Sequence, residues 1–118
     1  VAAVQHDRLG AALAIAQQLH AHVVLKGAGS VLAHPGGTFE VNRSGNPALS
    51  TAGSGDVLAG FIGACLAQQV DAEEALRIAV CLHGASADLL VARGIGPVGV
   101  GASELADAAR ELLNRARN

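Results

Sequence analysis

Asn46-Pro47-Ala48-Leu49-Ser50-Thr51-Ala52-Gly53-Ser54-Gly55-Asp56-Val57-Leu58-Ala59-Gly60 joins a small-residue loop to an apolar helix, with one carboxylate at the junction. Gly53, Ser54 and Gly55 leave the backbone free to turn tightly, so N–H groups at the helix start can converge on an anion such as a phosphate, aided by the helix dipole. A carboxylate beside such a site would repel the anion. Asp56 is therefore expected to act on the ligand, by taking a proton from a nucleophile or by holding a metal ion. The plainer role of an Asp in a first helical turn is to favour the positive end of the dipole, an effect of about 0.3–1 kcal/mol at an exposed site.

Upstream, Leu9 to Leu19 has apolar residues at helical spacing and leads through His20-Ala21-His22 into Val23-Val24-Leu25. That short continuous apolar run reads as a strand covered on both faces, as in a parallel sheet. Ser30 to Ala33 and Thr38 to Val41 are two further strands, and Pro35-Gly36-Gly37 between them predicts a hairpin. Arg43 to Ser50 reads as loop. Downstream, a helix from Ser54 or Gly55 to Gln69 is followed by Asp71 and Glu74, which resemble a capping box opening a helix that runs to Val91 or Ala92. Gly94, Gly96, Pro97, Gly99 and Gly101 break the pattern, and Ser103 can cap a last amphipathic helix to Arg115, with Glu111 and Arg115 paired. Three helices after so few strands suit the latter part of an α/β domain.

The 118 residues are about half apolar, carry a formal charge of −2 and predict one domain over 1–118. No basic excess matches a nucleic-acid backbone, and aromatic residues for base stacking are nearly absent, so small molecules are the expected ligands. No apolar run is expected to span a bilayer and the opening residues lack signal-peptide features, which points to the cytoplasm. Cys65 and Cys81 lie in apolar helical contexts and are expected to be reduced, buried thiols. The chain has no methionine, opens on Val1-Ala2-Ala3-Val4 and is expected to be a piece of something longer. Its single lysine is Lys26, against seven arginines.

Val24-Leu25-Lys26-Gly27-Ala28, Asn42 through Gly45-Asn46-Pro47, Thr51 through Gly60, and Leu82-His83-Gly84-Ala85-Ser86-Ala87-Asp88 carry a family resemblance in order and spacing. The chain resembles the C-terminal part of the ADP/ATP-dependent NAD(P)H-hydrate dehydratases, members of the ribokinase-like superfamily. Arg8 and the alanine-rich helix after it extend the likeness over nearly the whole chain. The resemblance implies an α/β fold, the C-terminal portion of a ribokinase-like three-layer α/β/α domain. It does not cover the front of the family domain, with its His-Pro-Gly-Glu-like loop. His34-Pro35-Gly36-Gly37 is similar only superficially, because it follows the Lys26 strand.

The reaction the resemblance implies is repair of hydrated NADH or NADPH. The ring hydroxyl accepts a phosphoryl group from ATP or ADP, and the ring nitrogen's lone pair then expels phosphate. In that scheme Asp56 is the general base and meets the substrate, while Gly53, Ser54 and Gly55 form the anion hole. Lys26, Gly27, Ala28, Gly29 and Ser30, with Gly55, match the segments that line the nucleotide site. Mg²⁺ is expected only as carried in with nucleotide phosphates.

The remaining polar residues have plainer expectations. Asn42 and Asn46 are expected to stabilise their loop, and His83 to be a satisfied core or interface histidine. Asp88 either hydrogen-bonds near the pocket or ends a helix face; the family pattern tends to place glycine where Ala87 stands. His6, His20, His22 and His34 have no spacing that reads as a metal site. Apolar helices such as Val57 to Leu66 are expected to bury surface in a homo-oligomer. Two other readings stand beside the dehydratase: a kinase of the same superfamily acting on a vitamin precursor or sugar, and a truncated fragment without catalysis.

Overall fold

The helical spacing of Leu9 to Leu19 belongs to a longer helix in the computed structural model, which describes residues 2–27 and 29–117. The elements are α1 (Ala2–Leu19), β1 (Val23–Leu25), β2 (Val31–Ala33), β3 (Phe39–Val41), a 3₁₀ turn (Pro47–Ser50), α2 (Ser54–Ala67), α3 (Ala72–Ala92) and α4 (Ala102–Ala116).

The sheet has the order β1-β2-β3 and both pairings are antiparallel, with Val24 opposite Leu32 and Leu32 opposite Glu40. The parallel pairing expected at Val23–Leu25 is thus corrected to an antiparallel one with β2. Among the described residues β1 pairs with β2 alone and is half-buried, and the fully buried strand is β2. Strand alternation divides β2 between two layers. Val31 and Ala33 pack with Ala12 and Ala16 of α1, whereas Leu32 packs with Leu58 of α2 and Leu76, Ala79 and Val80 of α3. This is the helix-sheet-helix layering of an α/β fold. A third cluster joins Ala48 of the 3₁₀ turn to Ala87 and Leu90 of α3 and to Val100, Leu105 and Ala108.

The predicted hairpin forms as Pro35 and Gly36 turn the chain and Gly37, at φ 95°, takes the left-handed position. Its closing bonds run from Gly37 N to His34 O and from His34 N to Thr38 O, each 3.0 Å.

Helix ends depart most from expectation. Asp71 is the N-cap of α3 but makes no side-chain cap bond, and Glu74 pairs with Arg77, so the expected capping box does not form. Gly101, not Ser103, caps α4, and Glu104 Oε1 accepts the Gly101 N–H at 2.9 Å. Three helices close with a six-residue backbone bond: Ala21 N to Ala16 O at 3.0 Å, Val70 N to Cys65 O at 3.2 Å and Ile95 N to Leu90 O at 2.9 Å. Gly94 supplies the left-handed residue of the last; His20 and Gln69 supply the others, at φ 51° and 68°.

Cys65 is half-buried and Cys81 exposed, both unbridged, which corrects the expectation of buried thiols. Helix α3 is, by length and composition, apolar enough to cross a membrane, contrary to expectation, yet half of that window is buried here as in a core helix.

One polar cluster escaped the spacing argument. The fold brings His34 beside Glu40 and Glu73, donor types that ligate metals, but the guanidinium of Arg77 already supplies the positive charge. Its Nε and Nη2 lie 2.5 and 3.0 Å from the two Glu40 oxygens. That bond, with help from His34, holds the Glu40 carboxyl below its ordinary value. An ionised Glu40 can only accept, so His34 Nε2, 3.1 Å away, donates. In neutral His34 the Nδ1 then accepts from His22 Nδ1 at 2.8 Å.

Candidate functional site

The end of β1, the loop before the 3₁₀ turn and the start of α2 enclose a cleft of about 710 Å³. Lys26, Gly27, Gly29 and Ser30 form one wall, and Ser54, Gly55 and His83 the floor. Asn42, Arg43, Ser44, Gly45 and Asn46 close the third side. Ala28 lies outside the described residues.

The Lys26 wall is held from α1. Arg8 Nη2 donates to the carbonyls of Leu25 and Lys26 at 3.2 and 3.1 Å. Gly27 is required there twice over: its φ is 148°, and a Cβ would lie 2.8 Å from Arg8 Nη2. Lys26 then reaches across the cleft so that its Nζ lies over Gly55, where any side chain would meet it. Gly55 therefore serves close approach, whereas Gly53 serves conformation, with φ 86° at the N-cap of α2.

Of the three residues expected to present N–H groups, Ser54 donates its own to Thr51 O at 3.2 Å. The N–H groups of Gly53 and Gly55 have no hydrogen-bond partner among the described residues. Asp56 stands in the first turn of α2, exposed and outside the cleft lining. One residue beyond Gly55, it lies about 100° further round the helix. The structure thus brings the lysine strand, Ser54 and Gly55 together and sets Asp56 on the adjoining surface.

His83 is buried as expected, and it also lines the cleft. Its Nε2 lies 3.0 Å from the Ser54 carbonyl and 3.1 Å from Ser54 Oγ. The carbonyl only accepts, so Nε2 carries the proton. Burial pushes His83 below its ordinary value of 6.5; the Ser54 bond opposes that shift and the Lys26 charge adds to it. The folded state therefore binds this proton more weakly than the unfolded chain. The resulting stability is complete above pH 6.5 and is lost as pH falls toward the lower folded value. The stability advantage of the native chain over His83→Gln is expected to narrow as urea unfolding is repeated from about pH 8 to about pH 5. A constant difference would refute it.

Of the two roles expected for Asp88, the structure shows hydrogen bonds beside the pocket. Its Oδ2 accepts the Gly45 N–H at 3.0 Å and its Oδ1 the Asn46 side-chain amide at 2.9 Å. Asn46 and Asn42 stabilise their loop as expected. Asn46 Oδ1 accepts the Ala48 N–H at 2.9 Å, and Asn42 Nδ2 donates to Ser44 O at 3.1 Å. No local pattern could reveal the cleft-facing partners, because Ser54 and His83 are 29 positions apart and Gly45 and Asp88 are 43 apart.

Fold and cleft define an α/β domain portion whose cleft lies between a glycine-framed helix start and a lysine-bearing strand end. The chain belongs to the NAD(P)H-hydrate dehydratase family, whose sequence model matches residues 1–110. It is 48% identical over 115 residues to the ADP-dependent (S)-NAD(P)H-hydrate dehydratase of Neisseria meningitidis, over 98% of this chain and 39% of that protein. It is 52% identical over 87 residues to the bifunctional NAD(P)H-hydrate repair enzyme Nnr of Gloeobacter violaceus, over 74% of this chain and 17% of that protein. The Bacillus subtilis ADP/ATP-dependent NAD(P)H-hydrate dehydratase, co-crystallised with ATP and Mg²⁺, matches with a TM-score of 0.88 at 37% identity, over 95% of this chain and 40% of that one. The fold is accordingly a portion of the ribokinase-like α/β fold, and the chain spans well under half the length of these relatives.

Proposed function

We propose that the protein bearing this chain restores NADH and NADPH from their hydrates in a nucleotide-dependent dehydration. The observation that carries the reading is the approach of Lys26 to Gly55 across the cleft, in a chain of the hydrate dehydratase family. In this reading ADP or ATP lies along Lys26, Gly27, Ala28, Gly29 and Ser30, with its phosphates toward Gly55. The free N–H groups of Gly53 and Gly55 and the positive end of α2 face the transferring phosphoryl; Ser54 completes that turn. Asp56 meets the nicotinamide hydrate on the adjoining surface and takes the hydroxyl proton as the oxygen attacks phosphorus. Phosphate then leaves as the ring nitrogen's lone pair re-forms the double bond, a far easier departure than that of hydroxide.

The cleft lining holds amide and hydroxyl oxygens, such as Asn42, Ser30 and Ser50, and no carboxylate among the described residues. That donor set suits a Mg²⁺ that arrives on the nucleotide and keeps its waters. When bound, the ion would offset charge on the phosphates. Two soluble nucleotides as reactants fit a cytoplasmic enzyme; a homo-oligomer through α2, on which Leu66 is exposed, belongs to the same proposal.

The test is recovery of dihydronicotinamide absorbance from hydrated NADH with ADP or ATP and Mg²⁺, using the 118-residue chain and the complete gene product. Nucleotide-dependent recovery by either supports dehydration. Consumption of nucleotide with a sugar or vitamin precursor, and none with the hydrate, would establish the kinase instead. Inertness of both would leave a non-catalytic fold.

A further inference from the structure

Cys81, Gly84 and Asp88 stand at i, i+3 and i+7 on α3 and so share one face of the helix. Each meets the loop that closes the cleft. Ser44 Oγ donates to the Cys81 carbonyl at 3.1 Å. Ser44's backbone lies so close to Gly84 that an added Cβ would come within 2.6 Å of its carbonyl carbon. Asp88 receives the two donors described above, from Gly45 and Asn46.

The polarity at Asp88 is determined completely. Gly45 adopts φ 109°, which aims its N–H at the helix and which other residues rarely adopt. Asn46 has committed its amide oxygen to Ala48 N, so its NH₂ must face α3. Two donors therefore converge on position 88, and a carboxylate is the side chain that accepts both. An asparagine there would turn its own NH₂ against one of them.

Resting on the nucleotide reading of the cleft, we propose that Asp88 is a positioning residue. Without touching the ligand, it latches Gly45 and Asn46 to α3 and so holds the third side of the cleft in its binding conformation.

The test uses the complete gene product and two variants, Asp88→Asn and the polarity swap Asp88→Asn with Asn46→Asp. In the swap an aspartate at 46 still accepts from Ala48 and now also accepts the amide of residue 88, whose oxygen takes the Gly45 N–H. Hydrogen exchange at Gly45 or at Ala48, whichever amide loses its acceptor as residues 88 and 46 re-pair, is expected to speed up roughly tenfold in Asp88→Asn, the factor one hydrogen bond to a charged group is worth, and to return to the native rate in the swap. Titration with ATP and Mg²⁺ is expected to show affinity weakened by a similar factor in Asp88→Asn. Native exchange in Asp88→Asn, or no recovery in the swap, overturns the latch. Faster exchange with unchanged affinity overturns the positioning role and leaves a structural contact. If the native protein itself binds no nucleotide, the reading of the cleft falls and the positioning role with it, while exchange still reports the latch. Should Asp88→Asn not fold, the swap must fold and bind; its failure too would overturn the proposal.

Discussion

Asp56→Asn is expected to lower nucleotide-driven recovery of NADH by about 10²–10⁴-fold, the range that a positioned general base contributes, with nucleotide affinity little changed. The split follows from placement. Asp56 stands outside the cleft that Lys26, Gly29, Ser30 and Gly55 line, so the amide removes the proton acceptor and leaves the nucleotide wall intact. Stability should change little as well. The carboxylate is exposed and makes no side-chain hydrogen bond or ion pair among the described residues. The loss is confined to its interaction with the helix dipole, about 0.3–1 kcal/mol. The assay is steady-state turnover beside ATP titration and thermal unfolding; near-native turnover would sink the assigned role.

The opposite pattern is expected from Leu105→Ala, which should destabilise the fold by about 2–5 kcal/mol. Leu105 is fully buried, and half of the six residues in its cluster, Ala48, Ala87 and Ala108, are alanines too short to swing into the space left behind. The cost should therefore fall in the upper part of that range, a large share of the 5–15 kcal/mol that holds a typical domain together. The damage also reaches the site. Ala48 belongs to the 3₁₀ turn leading to Gly53, and Ala102, at the start of α4, lies so near Gly53 that a Cβ there would be 3.2 Å from its own. Urea unfolding should show the shift in midpoint, with nucleotide affinity weakened in parallel. A loss below about 1 kcal/mol would mean that the cluster collapses around the smaller side chain.

The helices from Ser54 and Ala72, the hairpin at Pro35-Gly36-Gly37 and the helix start before Asp56 were all legible, because each is written in neighbouring residues. Apolar spacing announces a helix, a Pro-Gly-Gly run a turn, and a Gly-Ser-Gly frame a backbone open to a ligand. The helix ends were less legible. His20 and Gln69 take left-handed positions that glycine usually marks, since packing of the following strand or helix outweighs a local penalty of about 1–2 kcal/mol. Val23–Leu25 differs for a related reason: an apolar triplet has the same composition whether its neighbour runs parallel or antiparallel, and only pairing decides.

The sequence by itself determined the α/β class, the order of elements, the family and the glycine-framed helix start. All of these depend on residue type and short-range spacing. Only the tertiary structure decided that β1 pairs antiparallel with β2, that His83 holds Ser54, that Arg77 meets Glu40 beside His34, and that Asp88 accepts from Gly45 and Asn46. Those contacts join residues 29 to 43 positions apart or follow from strand pairing. They exist because burying the apolar faces of β2, α2 and α3 brings distant polar groups within hydrogen-bond reach, a proximity that spacing along the chain does not encode.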